Sequence, residues 1–326
     1  MKIITNAIVY KATLPEAAAL VEHLAEMPFH AIPENLIASN GFIPTAATGE
    51  LVTPLAGGLC FTLRRDEKIL PSKAVSAAIA AEVERVEAEL SEEAGEPVKV
   101  EGDDYKALKE RVRDELIAKA LHTSTVTTCF YHADSRLLIV PVTNKKLAAT
   151  IIGALVQACG AVETTTIHVS DVKGGLTTRL QRYFGDGETG AFEGFKLGDS
   201  VVMKGDMGKA SFDLENLDHG KQGVLESLGK GLIAERLELV RNDAVSFRLT
   251  HQFDLRRIEF LGELSEEQAE EQEDWDFAYR WRHEAAVQMA LLADVLQALC
   301  DLFGYQEPER TEPEGEPSDE GAAQAA

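Results

Sequence analysis

Several groups of residues in this sequence have the types and spacing that chemistry requires. Gly185–Gly190 read GDGETG, the spacing of a dinucleotide-binding loop, whose glycines let backbone amides approach a pyrophosphate at the start of a helix. That loop must follow a strand and open a helix. Here the helical pattern RLQRYF precedes it and the extended-looking AFEGFKL follows, and Asp186 and Glu188 would repel a pyrophosphate, so a turn is predicted. The eight histidines, His23, His30, His122, His132, His168, His219, His251 and His283, form no HExxH or HxH pattern, and there is no CxxC, so no metal site is expected. Serine-hydrolase and P-loop signatures are missing as well. The run ELSEEQAEEQEDWD from Glu263 to Asp276 holds the carboxylates that a two-metal nuclease would need to converge on ions about 4 Å apart, but a solvated acidic face explains the same residues.

Basic residues offer a different chemistry. Arg64, Arg65, Lys68 and Lys73 cluster in sequence, Lys204 and Lys209 are read as lying in a glycine-containing turn around GDMGK, and Lys230 follows Gly229. Glycine lets the backbone come close to a phosphate and an exposed lysine supplies the counter-charge, giving affinity without base readout.

These side chains must be carried by a chain of 326 residues, 45% hydrophobic and 27% charged, with a formal net charge of -23. Taken alone, that charge argues against a nucleic-acid binder acting by bulk attraction. Its distribution alters the inference. Residues 305–326 hold seven acids against Arg310 alone, residues 261–276 hold eight acids and no base, and residues 82–115 hold thirteen acids and six bases. The nearly neutral remainder contains 25 of the bases and could segregate a basic face. Cys60, Cys129, Cys159 and Cys300 lie far apart, as expected of reduced cytosolic thiols. The start, MKIITNAIVYKA, has no signal-peptide pattern, and no uncharged apolar run reaches 18 residues, so neither secretion nor membrane spanning is expected.

The pattern of elements is α+β. A strand is predicted over Ile3–Lys11, a helix over Pro15–Glu26, and a strand from Leu59 toward Ile69. From Ser72, read as an N-cap, apolar Val75, Ile79, Val83 and Val86 recur at helical spacing up to Gly95. A second helix is predicted from about Asp104 to Leu121, making an antiparallel helical hairpin that projects from the body. A strand hairpin about His132–Ser135 follows, then a helix capped by Asn144 and ended by Gly160, a strand in VETTTIHV, and a short helix capped by Ser170. SVVMK is strand-like, and Leu214–Leu228 is helical. GLIAERLELV, AVSFRLTHQF and LRRIEFL form a three-strand meander turning first at Arg241–Asp243. The strongest helix runs from Trp275 to Phe303, and 305–326 is expected to be a disordered acidic tail.

DEKILPS at Asp66–Ser72, followed by a long helix, resembles the bacterial recombination-associated protein family RdgC. The likeness continues collinearly through RDELIAKAL, LLIVPVTNKKLAATI, LGKGLIAERLEL, RRIEFLGEL and FAYRWRHEAAVQMALLADVLQAL, covering roughly residues 1–304. The resemblance implies an α+β protein with a mixed or antiparallel sheet body and a projecting antiparallel helical finger, assembled as a ring-shaped homodimer around double-stranded DNA. It further implies sequence-independent DNA binding that restrains RecA, without cofactor, metal or catalysis, on the cytoplasmic nucleoid and away from membranes. On this basis residues 1–72 are the first part of the body, 73–122 the finger, 123–304 the remaining body and C-terminal helix, and 305–326 the tail. Lys204 and Lys209 would contact phosphates, with Lys230, Lys68 and Lys73 as further candidates. Leu121 and His122 would form the dimer gate at the finger's far end. The chain departs from the family where Glu92, Glu93, Glu96, Glu101, Asp103 and Asp104 stand in the middle of the finger, which is basic in the family, and in its acidic tail. The rival functions are a metal-dependent recombination exonuclease and an acidic protein-interaction module that mimics DNA.

Overall fold

The computed structural model describes residues 1–160, 162–167, 172–206, 208–214, 217–262 and 276–305. The run Glu263–Trp275, the cap expected at Ser170 and the tail beyond Tyr305 lie outside the described residues. In chain order the strands are β1 (Ile8–Thr13), β2 (Ala38–Ile43), β3 (Val52–Leu55), β4 (Gly58–Lys68), β5 (His122–His132), β6 (Leu137–Val140), β7 (Glu163–Thr166), β8 (Lys196–Gly205), β9 (Gly208–Asp213), β10 (Ile233–Arg241), β11 (Val245–Thr250) and β12 (Leu255–Phe260). The helices are α1 (Ala17–Ala25), α2 (Ser72–Ala94), α3 (Gly102–Lys119), α4 (Lys145–Cys159), α5 (Val172–Gln181), α6 (Leu217–Gly229) and α7 (Phe277–Phe303). The fold is α+β, and its strands form two antiparallel sheets.

Seven strands make the first sheet, in the order β2-β4-β5-β6-β1-β7 with β3 also paired to β4. Alternation along β4 and β5 divides its side chains between two cores. Leu59, Phe61, Leu63, Cys129 and Tyr131 face one way and pack with Leu20 and Leu24 of α1 and Ile151 and Leu155 of α4. Cys60 and Phe130 face the other way, toward α7. The second sheet, ordered β12-β11-β10-β8-β9, joins that same core through Val201, Met203, Leu237, Leu239, Phe247, Leu249 and Leu255. Leu176 and Leu180 of α5, Val224 of α6, and Leu292, Leu296 and Leu299 of α7 complete it. Trp281 of α7 stacks near Phe130 at 6.4 Å, so α7 joins both sheets. That helix is long and apolar enough to cross a membrane, with a mean hydropathy of 1.5, and its buried residues here serve the protein core.

Helix ends follow local chemistry. Asn144 Oδ1 accepts the Lys146 amide at 2.9 Å, Asp276 Oδ1 accepts that of Tyr279 at 2.8 Å, and Gly95 and Gly304 end α2 and α7 with left-handed φ of 70° and 64°. Two expectations are corrected. Ser72 is not a cap: Pro71 holds that position, with φ -62°, and no side chain caps the helix. The first strand starts at Ile8 rather than Ile3, because the amides of Ile3 and Ile4 donate to Gln288 Oε1 of α7 at 3.2 and 3.0 Å.

Between β4 and β5 the chain forms a helical hairpin with a small core of its own, Ile79, Leu108 and Val112. Glu82 pairs with Arg111, Glu87 accepts the Val100 amide and Ser91 that of Val98, partners whose order shows that α2 and α3 run antiparallel. The turn at the hairpin's far end is therefore 95–101. Leu121 and His122, expected there, lie at its root: α3 stops at Lys119, Leu121 O accepts the Ile69 amide at 2.8 Å, and His122 is the cross-strand partner of Lys68. A helix that returns antiparallel to its start brings its last residues back to the sheet it left.

Asp66 anchors this root. Its side chain is 3% exposed, accepts Arg64 Nε at 2.9 Å and Nη2 at 2.8 Å, and lies 3.6 Å from His122 Nε2, while Arg64 stacks on Phe29 at 4.4 Å. The Arg64 hydrogen bonds hold the Asp66 carboxyl below the ordinary carboxylate range against the opposing effect of burial. Because the folded-state pKa is lowered, this contribution is present above the unfolded value, about 3.9, and is lost as pH falls through the folded value. Asp66→Asn is expected to lower stability by about 2 kcal/mol near neutral pH. The difference should close on acidification below about pH 4. Urea unfolding midpoints of parent and variant measured across that range check this; equal midpoints at neutral pH would contradict it.

Candidate nucleic-acid interface

Since the second sheet buries one face, period-two alternation turns its other residues outward. Residues directly opposite in an antiparallel ladder share a face, and the register assembles cations on that outer face. Lys204 of β8 is opposite Lys209 of β9, next to the Gly205–Gly208 pair that closes the hairpin. Val202, two residues before Lys204, is opposite Arg236 of β10, and Arg236 is in turn opposite Thr250 of β11. Glu238 of β10, Arg248 of β11 and Arg256 of β12 form a second row.

A β-bulge in β10 adds a carboxylate to this surface. Pairing with β8 shifts between Ala234 and Arg236, leaving Glu235 as the extra residue. Its Oε2 lies 3.2 Å from Lys209 Nζ and 3.6 Å from Arg236 Nη2. Burial acts to raise the Glu235 pKa, but Lys209, Arg236 and Lys204 outweigh it and hold the carboxyl below its ordinary value. Glu238 Oε2 accepts Arg248 Nε at 3.0 Å, and Asp254 accepts Arg256 Nη2 at 3.2 Å with Lys145 Nζ 3.8 Å away. Arg256 also donates to Thr143 O at 2.8 Å. Arg257 is exposed and held at a left-handed φ of 47°.

These groups surround an open groove of about 460 Å³ lined by Arg236, Arg248, Arg256 and Arg257, with Asn6 and His251 at its border. Among the residues that line the groove, four arginines stand against the carboxylates of Glu235 and Asp254. The acids fix the directions of arginine tips and leave the groove lining with positive charge in excess. Arginine forks and lysine ammonium groups suit phosphate oxygens, contacts that carry no sequence information.

The structure brings Lys204 and Lys209 together, though on facing strands rather than in the turn itself. Lys230 is exposed between α6 and β10, three residues before Ile233, the cross-strand partner of Lys204. Lys68 and Lys73 belong elsewhere: Lys68, on the first sheet at the hairpin root, donates to Pro33 O at 3.2 Å and Glu34 O at 2.8 Å, and Lys73 is exposed in α2. Sequence reading missed Arg236, Arg248, Arg256 and Arg257. For Arg236, Arg248 and Arg256 the signal was the alternation itself, arginines beside Leu237, Phe247, Leu249 and Leu255; Arg257 is exposed where the β11–β12 register shifts.

Other chemistry finds less support. Gly185 and Asp186 end a π turn after α5, Gly187 is left-handed at 73°, and Thr189–Phe192 form a 3-10 turn, so GDGETG is a turn as expected. Among the described residues no three His, Cys, Asp or Glu side chains converge as metal ligands would. Burial pushes the Cys60 thiol up to about 12, the Thr53 and Thr45 hydroxyls opposing it only in part.

A protein-family profile described as "Putative exonuclease, RdgC" matches residues 3–306. The curated relatives include "Recombination-associated protein RdgC" of Laribacter hongkongensis, 29% identical over 240 residues that cover 72% of this chain and 76% of the relative. The protein of that name from Neisseria meningitidis serogroup C is 27% identical over 260 residues, 79% and 83% of the two chains. That from Psychromonas ingrahamii is 23% identical over 308 residues, 93% and 98%.

The role of Glu235 as partial counter-charge has a measurable consequence. Glu235→Gln is expected to elute from an immobilised sulfated polysaccharide at higher salt than the parent, and Lys204→Ala with Lys209→Ala at lower salt. Identical elution of all three would mean that this face does not meet polyanions.

Proposed function

This chain belongs to the RdgC family of recombination-associated proteins, and from that premise we propose that it is a non-catalytic, sequence-independent binder of double-stranded DNA. In this reading it works in the cytoplasm on the nucleoid, as a homodimer that encloses the duplex and limits access of RecA. The observation that carries the DNA contact is the set of outward cations Lys204, Lys209, Arg236, Arg248 and Arg256 on neighbouring strands of one sheet. Such a surface neutralises phosphates and releases counterions, so affinity falls steeply with salt and is alike for every sequence.

The helical hairpin fits a different task. Its surface is rich in carboxylates such as Glu92, Glu93, Asp103 and Asp104, which disfavour contact with DNA. As a finger closing the ring against a second copy, it would keep those acids away from the phosphates. Leu121, 80% exposed at the root, and the neighbouring His122 are proposed as contacts of that closure. Enclosure would slow escape from long or sealed DNA beyond what contact strength alone provides.

Lys204→Ala with Lys209→Ala is expected to weaken binding to two unrelated duplexes equally and to flatten the dependence of log affinity on log salt by up to roughly two units. An unchanged slope would remove both lysines from the interface. The same titration with magnesium, followed by sizing of the DNA, tests the exonuclease reading: intact DNA is expected, and shortened ends would overturn the non-catalytic assignment.

A further inference from the structure

The basic groove borders the point at which the chain leaves α7. Phe253, in the β11–β12 turn between the groove residues Gln252 and Asp254, meets the ring of Phe303, in the last turn of α7, at 6.3 Å. Two residues later Tyr305 donates its amide to Cys300 O at 2.8 Å and lies under Lys11 Nζ, 5.9 Å from its ring centre. Tyr305, which residues 306–326 follow, therefore lies at the end of the sheet that carries the β11–β12 turn. Residues 306–326 carry seven carboxylates and one base, Arg310.

We propose that residues 306–326 are an intramolecular acidic ligand of this groove, competing with DNA for Arg236, Arg248, Arg256 and Arg257. The proposal rests on the DNA-binding reading above and adds regulation of the same surface. Carboxylates meet guanidinium forks by the same charge-assisted hydrogen bonds that phosphates make. Arg257, exposed and without a carboxylate partner among the described residues, is open to such a contact. Reach is not limiting, because a chain of this length spans up to roughly 70 Å when extended, against about 20 Å across five strands. The other acidic run, residues 263–275, follows β12. That strand finishes at the opposite end of the sheet, where the Leu261 amide donates to Ala244 O next to the β10–β11 turn.

Tethering puts the acidic segment at an effective concentration near millimolar, so even weak ion pairing would compete. Two variants separate charge from length: a chain ending at Tyr305, and a full chain in which Glu307→Gln, Glu309→Gln and the five other acids of the segment become amides. Both are expected to bind a labelled duplex roughly tenfold more tightly than the parent at low salt, the gap vanishing at high salt as screening removes the contact. In the Arg236→Ala, Arg248→Ala background the gap should shrink. A labelled synthetic peptide of residues 306–326 provides a test without DNA: it should bind the shortened chain in a salt-sensitive way, and more weakly with both arginines removed. Peptide binding at the groove with no duplex binding by any variant would keep the inference and overturn the DNA reading. Duplex binding that is equal in parent and variants, with no peptide binding, would overturn the inference alone.

Discussion

The one-sided burial of the second sheet is the constraint on which the rest of the surface depends. Alternation leaves no choice once Val201, Met203, Leu237, Leu239, Phe247 and Leu249 face the core: their neighbours must face outward. A slip of one residue in β10 or β11 would turn Arg236 or Arg248 inward and expose Leu237, Leu239, Phe247 or Leu249, at a penalty comparable to the stability of a domain. The forces that hold the sheet on α5, α6 and α7 therefore also display Lys204, Arg236, Arg248 and Arg256 together. At Glu235 the pairing of β10 with β8 bulges, and there a carboxylate lies between Lys209 and Arg236.

This separation reconciles a net charge of -23 with the polyanion partner proposed for the chain. Charge acts locally, since at physiological salt fields decay over about 8 Å. The acids of α2 and α3, of which Glu82 pairs with Arg85 and Arg111 and Glu89 with Arg85, are carried by a hairpin with a separate core. At the groove, Glu238 and Asp254 are taken up in orienting Arg248 and Arg256. Overall acidity then tempers affinity without erasing the basic face.

Local signals made much of this fold legible in the sequence. The spacing of Val75, Ile79, Val83 and Val86, the cap at Asn144, the stops at Gly95 and Gly304, and the β10–β12 meander with its turn at Arg241–Asp243 all rest on interactions within a few residues. The turn's left-handed Asn242 and Asp243, both at φ 53°, suit residues that tolerate that conformation. What was missed depends on distant partners. β2 and β3 exist because β4 offers them an edge, and the bond from Gln288 to Ile3 and Ile4 moves the start of β1 across 285 residues of sequence. The juxtaposition of Lys204 and Lys209 was legible from their glycine turn, whereas that of the arginines required knowing which face of β10–β12 is buried. Leu121 and His122 were misplaced because sequence order alone does not say where a returning helix ends.

The central claim is that duplex DNA lies on the outer face of β8–β12. Arginine-selective chemical modification, read residue by residue with and without a saturating duplex at low salt, tests it most directly. Protection of Arg236, Arg248, Arg256 and Arg257, with Arg85, Arg111 and Arg113 of the hairpin unchanged, is the expected result. Protection confined to the hairpin, or none on the sheet while the duplex is bound, would contradict the claim.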